Sequence, residues 1–375
     1  MSDGSAVPSL LTVNAGSSSL RLALFADPAE APLAQEHLAP APAPDADVLW
    51  RLVRGAGGLL PRAVVHRVVH GGHRLRSPCV VDAAVEAEIA RLGSLAPLHN
   101  PVALGWIRAA RALGVPQIAV FDTAFFANLP EQAANCPLPA DVCDRLGIRR
   151  YGFHGLAHRS MLEQWRARVP GAAPGARVIS LQLGAGCSVT ASLGGRPVET
   201  SMGFSPLEGL MMTTRCGDVD PAVVLRLARD GSFSIEEIDW MLNHASGLSG
   251  VAGSGDMAEL LGREDAAARL AVDMFCHRAR KYIGAYLAVL GGLDVIIFGG
   301  GIAERAPSIR ARLLDGVSWA GILLDPARNG AVEPGVTCEI SAAGSGAAAW
   351  VVPVDEARIM ASDAARLLDA GEAKS

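Results

Sequence analysis

Apolar runs of four to eight residues recur along the chain, each closed by small or polar residues. Residues 10–13 and Leu20–Phe25 read as two strands around an Asn-Ala-Gly-Ser turn at 14–19. Residues 63–70, AVVHRVVH, are β-branched and read as a buried strand, as does Gln117–Phe121. Arg177–Leu183 and Cys187–Leu193 flank a tight turn, Gly184-Ala185-Gly186, and Gly194-Gly195 turns the chain into a third strand. Later strands are expected at 293–298 and 351–354. The unit strand, small-residue turn, strand occurs twice, about one domain apart, which implies an internal duplication.

Helical patterns lie between these runs. Residues 82–92 end at Gly93, and a second helix opens at Asn100-Pro101 and stops at Gly114. Asp220-Pro221 reads as an N-cap followed by proline at the first helical position. Ser234 and Glu237 form a capping box. Ala266–Leu290 is amphipathic, with Val272, Phe275, Ala279, Ile283, Leu287 and Leu290 on one face, a stripe for a core or a subunit interface. The last helix opens at Asp355-Glu356. Residues 26–47, rich in Ala and Pro, read as a surface excursion, and 247–255 as a glycine-rich loop before Asp256.

One stretch fits neither period. Residues 200–221, TSMGFSPLEGLMMTTRCGDVDP, hold a single arginine, Arg215, just before a helix N-terminus. That position suits anion binding. Met202, Phe204, Leu207, Leu210, Met211 and Met212 make the loop too apolar to lie free in water, so it should line a cleft. Arg67, inside a β-branched strand, should also meet an anion, because an unpaired charge there is costly. Asp122 ends a strand, where ligands of open α/β sheets bind.

Composition narrows the class. The chain has 375 residues, 50% hydrophobic and 19% charged, with a net charge of −5. That length suggests two domains, and the charge argues against a nucleic-acid partner. Lys281 and Lys374 are its only lysines, so arginine should carry the cationic roles. Seven cysteines without a C-x-x-C pair point to free thiols in a reducing cytoplasm. No signal peptide or membrane span is expected. His66 and His70 on one strand would stand about 13 Å apart, too far to share a metal ion. His154 and His158, four apart, would share a face if helical, without the glutamate of a zinc protease motif. There is no G-x-x-x-x-G-K-[ST], and the GAGG at 55–58 lacks a preceding strand.

NAGSSS at 14–19, HRVVHGG at 66–72, FDTAF at 121–125, YGFHG at 151–155, the 200–221 run and a strand-Gly299-Gly300-Gly301-helix layout together resemble the acetate kinase family, from about residue 10 to the last helix. The resemblance implies an α/β fold of two duplicated ribonuclease H-like (actin-like ATPase) domains around a nucleotide cleft. The first would comprise 1–125 plus 359–375, closed by the C-terminal helix, and the second 126–358, with the nucleotide loops and a dimer surface. It implies a cytoplasmic homodimer that transfers the γ-phosphoryl of ATP to acetate in line, with Mg2+ or Mn2+.

Carried over residue by residue, the catalytic set is Arg67, Asp122, His154 and Arg215. Arg67, Val69, Leu98, Phe153 and Pro206 would hold the carboxylate substrate. Asn14, Ser17, Ser19, Arg21, Gly184, Gly186, Asp256, Gly299, Gly300 and Gly301 would hold nucleotide and phosphates. Asn14 and Glu356, with Asp122 nearby, would organise the metal. Several positions depart from the family pattern. Arg21 replaces a lysine, His73 a glutamate, Gln182 a histidine, Ala185 an asparagine, and Thr213 a glycine. Ala303 and Arg305 stand where Gly and Asn are common. These leave the phosphoryl donor open between ATP, another nucleotide and pyrophosphate. The alternatives are a propionate or other short-chain acyl kinase, which one methylene barely distinguishes, and a non-catalytic nucleotide-binding protein. Four ionic residues of the catalytic set argue against the latter.

Overall fold

A computed structural model describes residues 9–16 and 19–372. The described chain divides into two compact units. One takes the chain as far as Ala127, then His154–Ser160 and everything from Asp355; the other takes Asn128–Phe153 and Met161–Val354.

The first unit is built on a six-stranded sheet of β1 (Leu10–Ala15), β2 (Leu20–Phe25), β3 (Ala34–Leu38), β4 (Ala63–Val68), β5 (Cys79–Val80) and β6 (Gln117–Phe121), in the order β3-β2-β1-β4-β6-β5. β1, β4 and β6 run parallel; β2, β3 and β5 run antiparallel to their neighbours. The central strands are buried along almost their whole length because both faces are covered. Alternate residues serve opposite faces. Leu11, Val13, Leu22 and Val64 pack with Leu49, Leu52 and Trp106. Leu10, Ala23, Ala63 and Val65 pack with Ile359, Met360 and Ala364 of the final helix, Glu356–Glu372.

The second unit repeats this plan. Its strands are β7 (Arg177–Leu183), β8 (Cys187–Leu193), β9 (Arg196–Thr200), β10 (Val295–Gly299), β11 (Cys338–Glu339) and β12 (Ala348–Val351), in the order β11-β12-β10-β7-β8-β9. Raising each strand number of the first sheet by six reproduces the second, with the same parallel and antiparallel pairings. The duplication expected from two strand-turn-strand units therefore extends to whole sheets. The helix Ala266–Leu290 buries Val272, Phe275, Ala279, Ile283 and Leu287 as expected, and Gly291 in the left-handed region ends it.

Several boundaries differ from the sequence reading. Residues 26–47 contain β3, an edge strand whose pairing with β2 is tertiary information. β12 ends at Val351, because its length follows its parallel partner: Val295 pairs with Ala348 and Phe298 with Val351. Residues 247–252 form a helix, not a loop. Its Leu248 and Ser249 N–H groups donate to Met212 and Thr213, contacts that override the poor helix propensity of glycine. His154 precedes the helix Gly155–Arg168 that holds His158, so the two do not share a helical face. Among the described residues no helix is long and apolar enough to cross a membrane.

Candidate active site

In the first unit, parallel β4 and β6 bring Arg67 and Asp122 together. Arg67 stands inside β4, and Asp122 follows the last residue of β6. Arg67 Nε donates to both Asp122 oxygens at 3.1 Å, and Nη2 to Oδ2 at 2.5 Å. Its Nη1 donates to Asn14 Oδ1 at 3.1 Å and lies 3.8 Å from Glu356 Oε2. Asn14 Nδ2 closes the ring by donating to Glu356 Oε2 at 2.6 Å. Residues from β1, β4, the end of β6 and the start of the last helix thus share one network.

Burial works against the Arg67 charge, but Asp122 and Glu356 outweigh it and hold the guanidinium above its ordinary value. Burial comes first for Asp122 and pushes its carboxyl up, against the pull of Arg67. The two directions conflict over the charge state of the pair. Three hydrogen bonds from one guanidinium decide for an ionised Asp122 at neutral pH, since charge-assisted forked bonds need the carboxylate.

His154 belongs to the same unit and directly precedes Gly155, which packs on Asp122. It is the one non-glycine residue with positive φ, +58°, among the described residues. Such a conformation costs free energy and is found where surrounding structure enforces it. Gly155 supplies that enforcement: a Cβ there would collide with the Asp122 carbonyl oxygen and lie 2.7 Å from Phe125 Cβ. The Leu156 N–H is hydrogen-bonded to the Asp122 carboxylate. The backbone that presents His154 is therefore pinned to the partner of Arg67.

The remaining first-unit candidates are more dispersed. Val69 is buried just past β4, and Leu98 is 38% exposed in the loop before the helix Asn100–Ala110. Arg21 is exposed on β2, directly opposite Asn14. The Ser19 carbonyl accepts from the Gly16 N–H at 2.8 Å. Ser17 lies outside the described residues. Asn100, read from sequence only as a helix opener, is fully buried. Its amide bonds both the N–H and the C=O of His70, at 3.1 and 3.0 Å, and so fixes the chain beyond β4.

In the second unit, the loop before the helix Pro221–Asp230 carries Arg215. Asp220 caps that helix through the Ala222 N–H, with proline at its first turn. Met202, Leu210, Met211 and Met212 are buried, as their apolarity demands. Arg215 Nη1 donates to the Pro206 carbonyl at 2.7 Å. Among the described residues no carboxylate stands within ion-pair distance of Arg215, and burial pushes its guanidinium below the ordinary value. Phe153 is buried in this unit.

The glycine turns are close-packed. Gly300, at φ +86°, leaves no room for a Cβ, which would lie 2.7 Å from the Leu183 carbonyl oxygen and 2.9 Å from Gln182 Oε1. A Cβ on Gly299 would lie 2.8 Å from the Val352 carbonyl oxygen, and one on Gly301 3.0 Å from Arg305 Nη1. Gln182 Oε1 itself is buried without a hydrogen-bond partner. Gly184 N–H donates to Gly186 O at 3.1 Å, and Thr213 donates through N and Oγ1 to the Ala185 carbonyl at 3.3 and 3.1 Å. Asp256 is the N-cap of the helix Met257–Gly262, accepting from Ala258 and Glu259 N–H groups.

Among the described residues no group of three or more His, Cys, Asp or Glu side chains could hold a metal ion. Glu356 Oε1 nevertheless has no protein partner there, while both Asp122 oxygens are taken by Arg67. One free carboxylate oxygen fits Mg2+, which keeps several waters and leans on substrate phosphates. Glu356 would hold it, with Asn14 fixing the carboxylate and Asp122 acting through Arg67.

The Acetokinase family model matches residues 61–362. The acetate kinase of Streptomyces coelicolor is 47% identical over 300 residues, 78% of this chain and 73% of that protein. Among solved structures, the acetate kinase of Porphyromonas gingivalis aligns with a TM-score of 0.87 and 33% identity, over 96% of this chain and 100% of that one. A propionate kinase from Francisella tularensis aligns with a TM-score of 0.86 and 31% identity, over 95% and 98%.

Buried histidines near the site make stability pH-dependent. Burial lowers His66 and His70 to about 4 and His158 to about 3 from 6.5. Below pH 6.5 the unfolded chain binds protons that the folded chain refuses. Stability present above pH 6.5 is therefore lost as pH falls toward about 4, at about 1.4 kcal/mol per histidine per pH unit. Urea unfolding of His66→Gln between these limits should show a flatter loss than the parent; equal slopes would count against a neutral buried His66.

Proposed function

This chain belongs to the Acetokinase family, and from that premise we propose that it transfers the γ-phosphoryl of ATP to acetate, reversibly, giving acetyl phosphate and ADP. The observation that carries the reading is Arg215, a half-buried guanidinium with no carboxylate partner among the described residues. Such a group is a ready receptor for a substrate anion.

The acceptor carboxylate is already ionised at neutral pH, so the reaction needs no general base. One carboxylate oxygen attacks the γ-phosphorus as the bond to the ADP oxygen breaks. The difficulty is charge: two anions must meet while negative charge spreads over the transferring group. Preorganised cations and donors answer that difficulty. Arg215 supplies one guanidinium. Arg67 supplies another, its orientation fixed by Asp122 and Asn14. His154, presented by its strained backbone, donates a hydrogen bond to a phosphoryl oxygen. Val69 and Phe153, both buried, and Leu98 and Pro206 favour a small apolar acyl group. Mg2+, when bound, neutralises phosphate charge. Gly300 and Gly301 let backbone approach the nucleotide phosphates closely.

Propionate is the second reading, favoured by the propionate kinase among the similar structures. We also propose a homodimer. The helix Pro221–Asp230 buries none of its residues, with Val223 47% and Leu225 52% exposed, while on the helix Ile235–His244 Ile235 is 65% and Trp240 60% exposed. Apolar faces of this kind are covered by partners.

Trapping acyl phosphate as the hydroxamate, with acetate, propionate and butyrate against ATP and pyrophosphate, tests the reaction. ATP with acetate or propionate should turn over; no product from any pair would refute the proposal. Arg215→Ala should lower kcat by about 10³-fold or more, and a near-normal rate would mean that the arginine is misassigned. Light scattering on the eluting protein should give a dimer mass, reduced to a monomer by Trp240→Glu. A monomeric parent would remove the dimer proposal.

A further inference from the structure

The loop that carries Arg215 is closed on itself. Gly209 and Asp218 face each other: Gly209 N–H donates to Asp218 Oδ1 at 2.9 Å, and Asp218 N–H donates to the Gly209 carbonyl at 3.0 Å. Gly209 has φ +106° and Gly217 φ +69°, and neither has space for a side chain. A Cβ on Gly209 would lie 2.6 Å from the Ser201 carbonyl oxygen, and one on Gly217 2.5 Å from the Gly209 carbonyl oxygen. Arg215 sits in the ring so formed, with Met212 N–H donating to its carbonyl at 3.1 Å.

The ring is fastened from outside by the long helix Ala266–Leu290. Tyr282 Oη donates to Asp218 Oδ2 at 2.9 Å, and Arg278 Nη1 donates to the Asp218 carbonyl at 3.0 Å. Tyr282 and Arg278 are four residues apart, so they project from one side of the helix. Asp218 therefore uses its N–H, its carbonyl and both carboxylate oxygens in this one junction. The opposite limb of the loop has its own anchor, Arg150, which donates to Glu208 Oε1 at 2.7 Å and to the Thr200 carbonyl at 3.1 Å.

Among the described residues the Arg215 side chain has one hydrogen bond, to Pro206. Its own contacts do not set its direction, so the loop backbone must. We propose that Tyr282, acting through Asp218, is a positioning residue for Arg215. The phenol touches no reacting atom. It ties the carboxylate that closes the ring to a helix whose apolar stripe is rooted in the core, and so converts a glycine-rich loop into a rigid mount. Burial, and then Asp218, push the phenol well above its ordinary value, so it remains a donor throughout the working pH range. This inference rests on the assignment of Arg215 above.

The test is a double-mutant cycle on acyl phosphate formation. Tyr282→Phe removes one hydroxyl and keeps the ring packed against Tyr286, with centroids 5.7 Å apart. It should lower kcat about 10-fold to 100-fold, as for small misplacements of a catalytic group, with the KM for acetate changed far less. In an Arg215→Ala background the same change should have almost no effect on kcat. An equal factor in both backgrounds would show that Tyr282 acts on overall structure, and an unaltered kcat in the single variant would show no role; either overturns the inference. If Tyr282→Phe does not fold, Asp218→Asn, which keeps an oxygen for the Gly209 N–H, carries the same comparison and the same outcomes. Failure of the Arg215 assignment is separately visible, as a near-normal rate in Arg215→Ala alone.

Discussion

A guanidinium cannot shed its charge, so a chain that buries one must surround it with acceptors or leave it hungry for an anion. This protein takes three different routes. Arg67 is matched by the carboxylates of Asp122 and Glu356. Arg310, fully buried, is satisfied by neutral groups alone: the Ala303, Glu304 and Asn329 carbonyls and the Asn329 side chain. The Arg215 side chain has a single carbonyl among the described residues. Arg310 is complete without a ligand, Arg67 has carboxylates against its charge, and Arg215 has none among the described residues. That asymmetry sets Arg215 apart from the other two on physical grounds, independently of family.

Arg310 also shows how a structural arginine serves a neighbouring loop. Its donors reach Ala303 and Glu304 at the end of the helix Gly301–Arg305, which follows directly from β10 and Gly300. Asn329 closes the arrangement by donating to Pro307 O at 2.9 Å. A five-residue helix has little stability of its own. Capping its carbonyls with a buried cation holds it where the glycines need it.

Duplication gives the two units one plan with different decoration. Each presents the same sheet, with its central parallel strands covered on both faces. In sequence, small residues follow the first strand of each, β1 or β7. What differs is the decoration. In the first unit, residues near strand ends and the start of the last helix carry an ion-pair network, and the strained His154 precedes a helix. In the second, a long irregular loop carries Arg215, held by charged and aromatic residues of neighbouring elements. Rigid sheets can supply precise strand ends, whereas a loop of small residues needs anchors from elsewhere.

Local pattern alone determined much of this protein. Gln117–Phe121, Arg177–Leu183, Cys187–Leu193 and Ala266–Leu290 were legible to the residue, because apolar periodicity and glycine stops are properties of neighbouring positions. So were the caps at Asp220 and Ser234, since a cap bonds within its own first turn. Arg67 could be singled out as a charge needing a partner, but not that Asp122 and Asn14 would be its partners, because that pairing depends on sheet order. The edge strand β3, the end of β12, the helix at 247–252 and the positive φ of His154 were likewise decided by tertiary contacts. Asp218 was in plain view within the Arg215 loop, yet its role depends on Tyr282, which lies 64 residues away in the chain. Hydrogen bonds across such separations leave no periodicity to read; only the folded chain brings their two ends together.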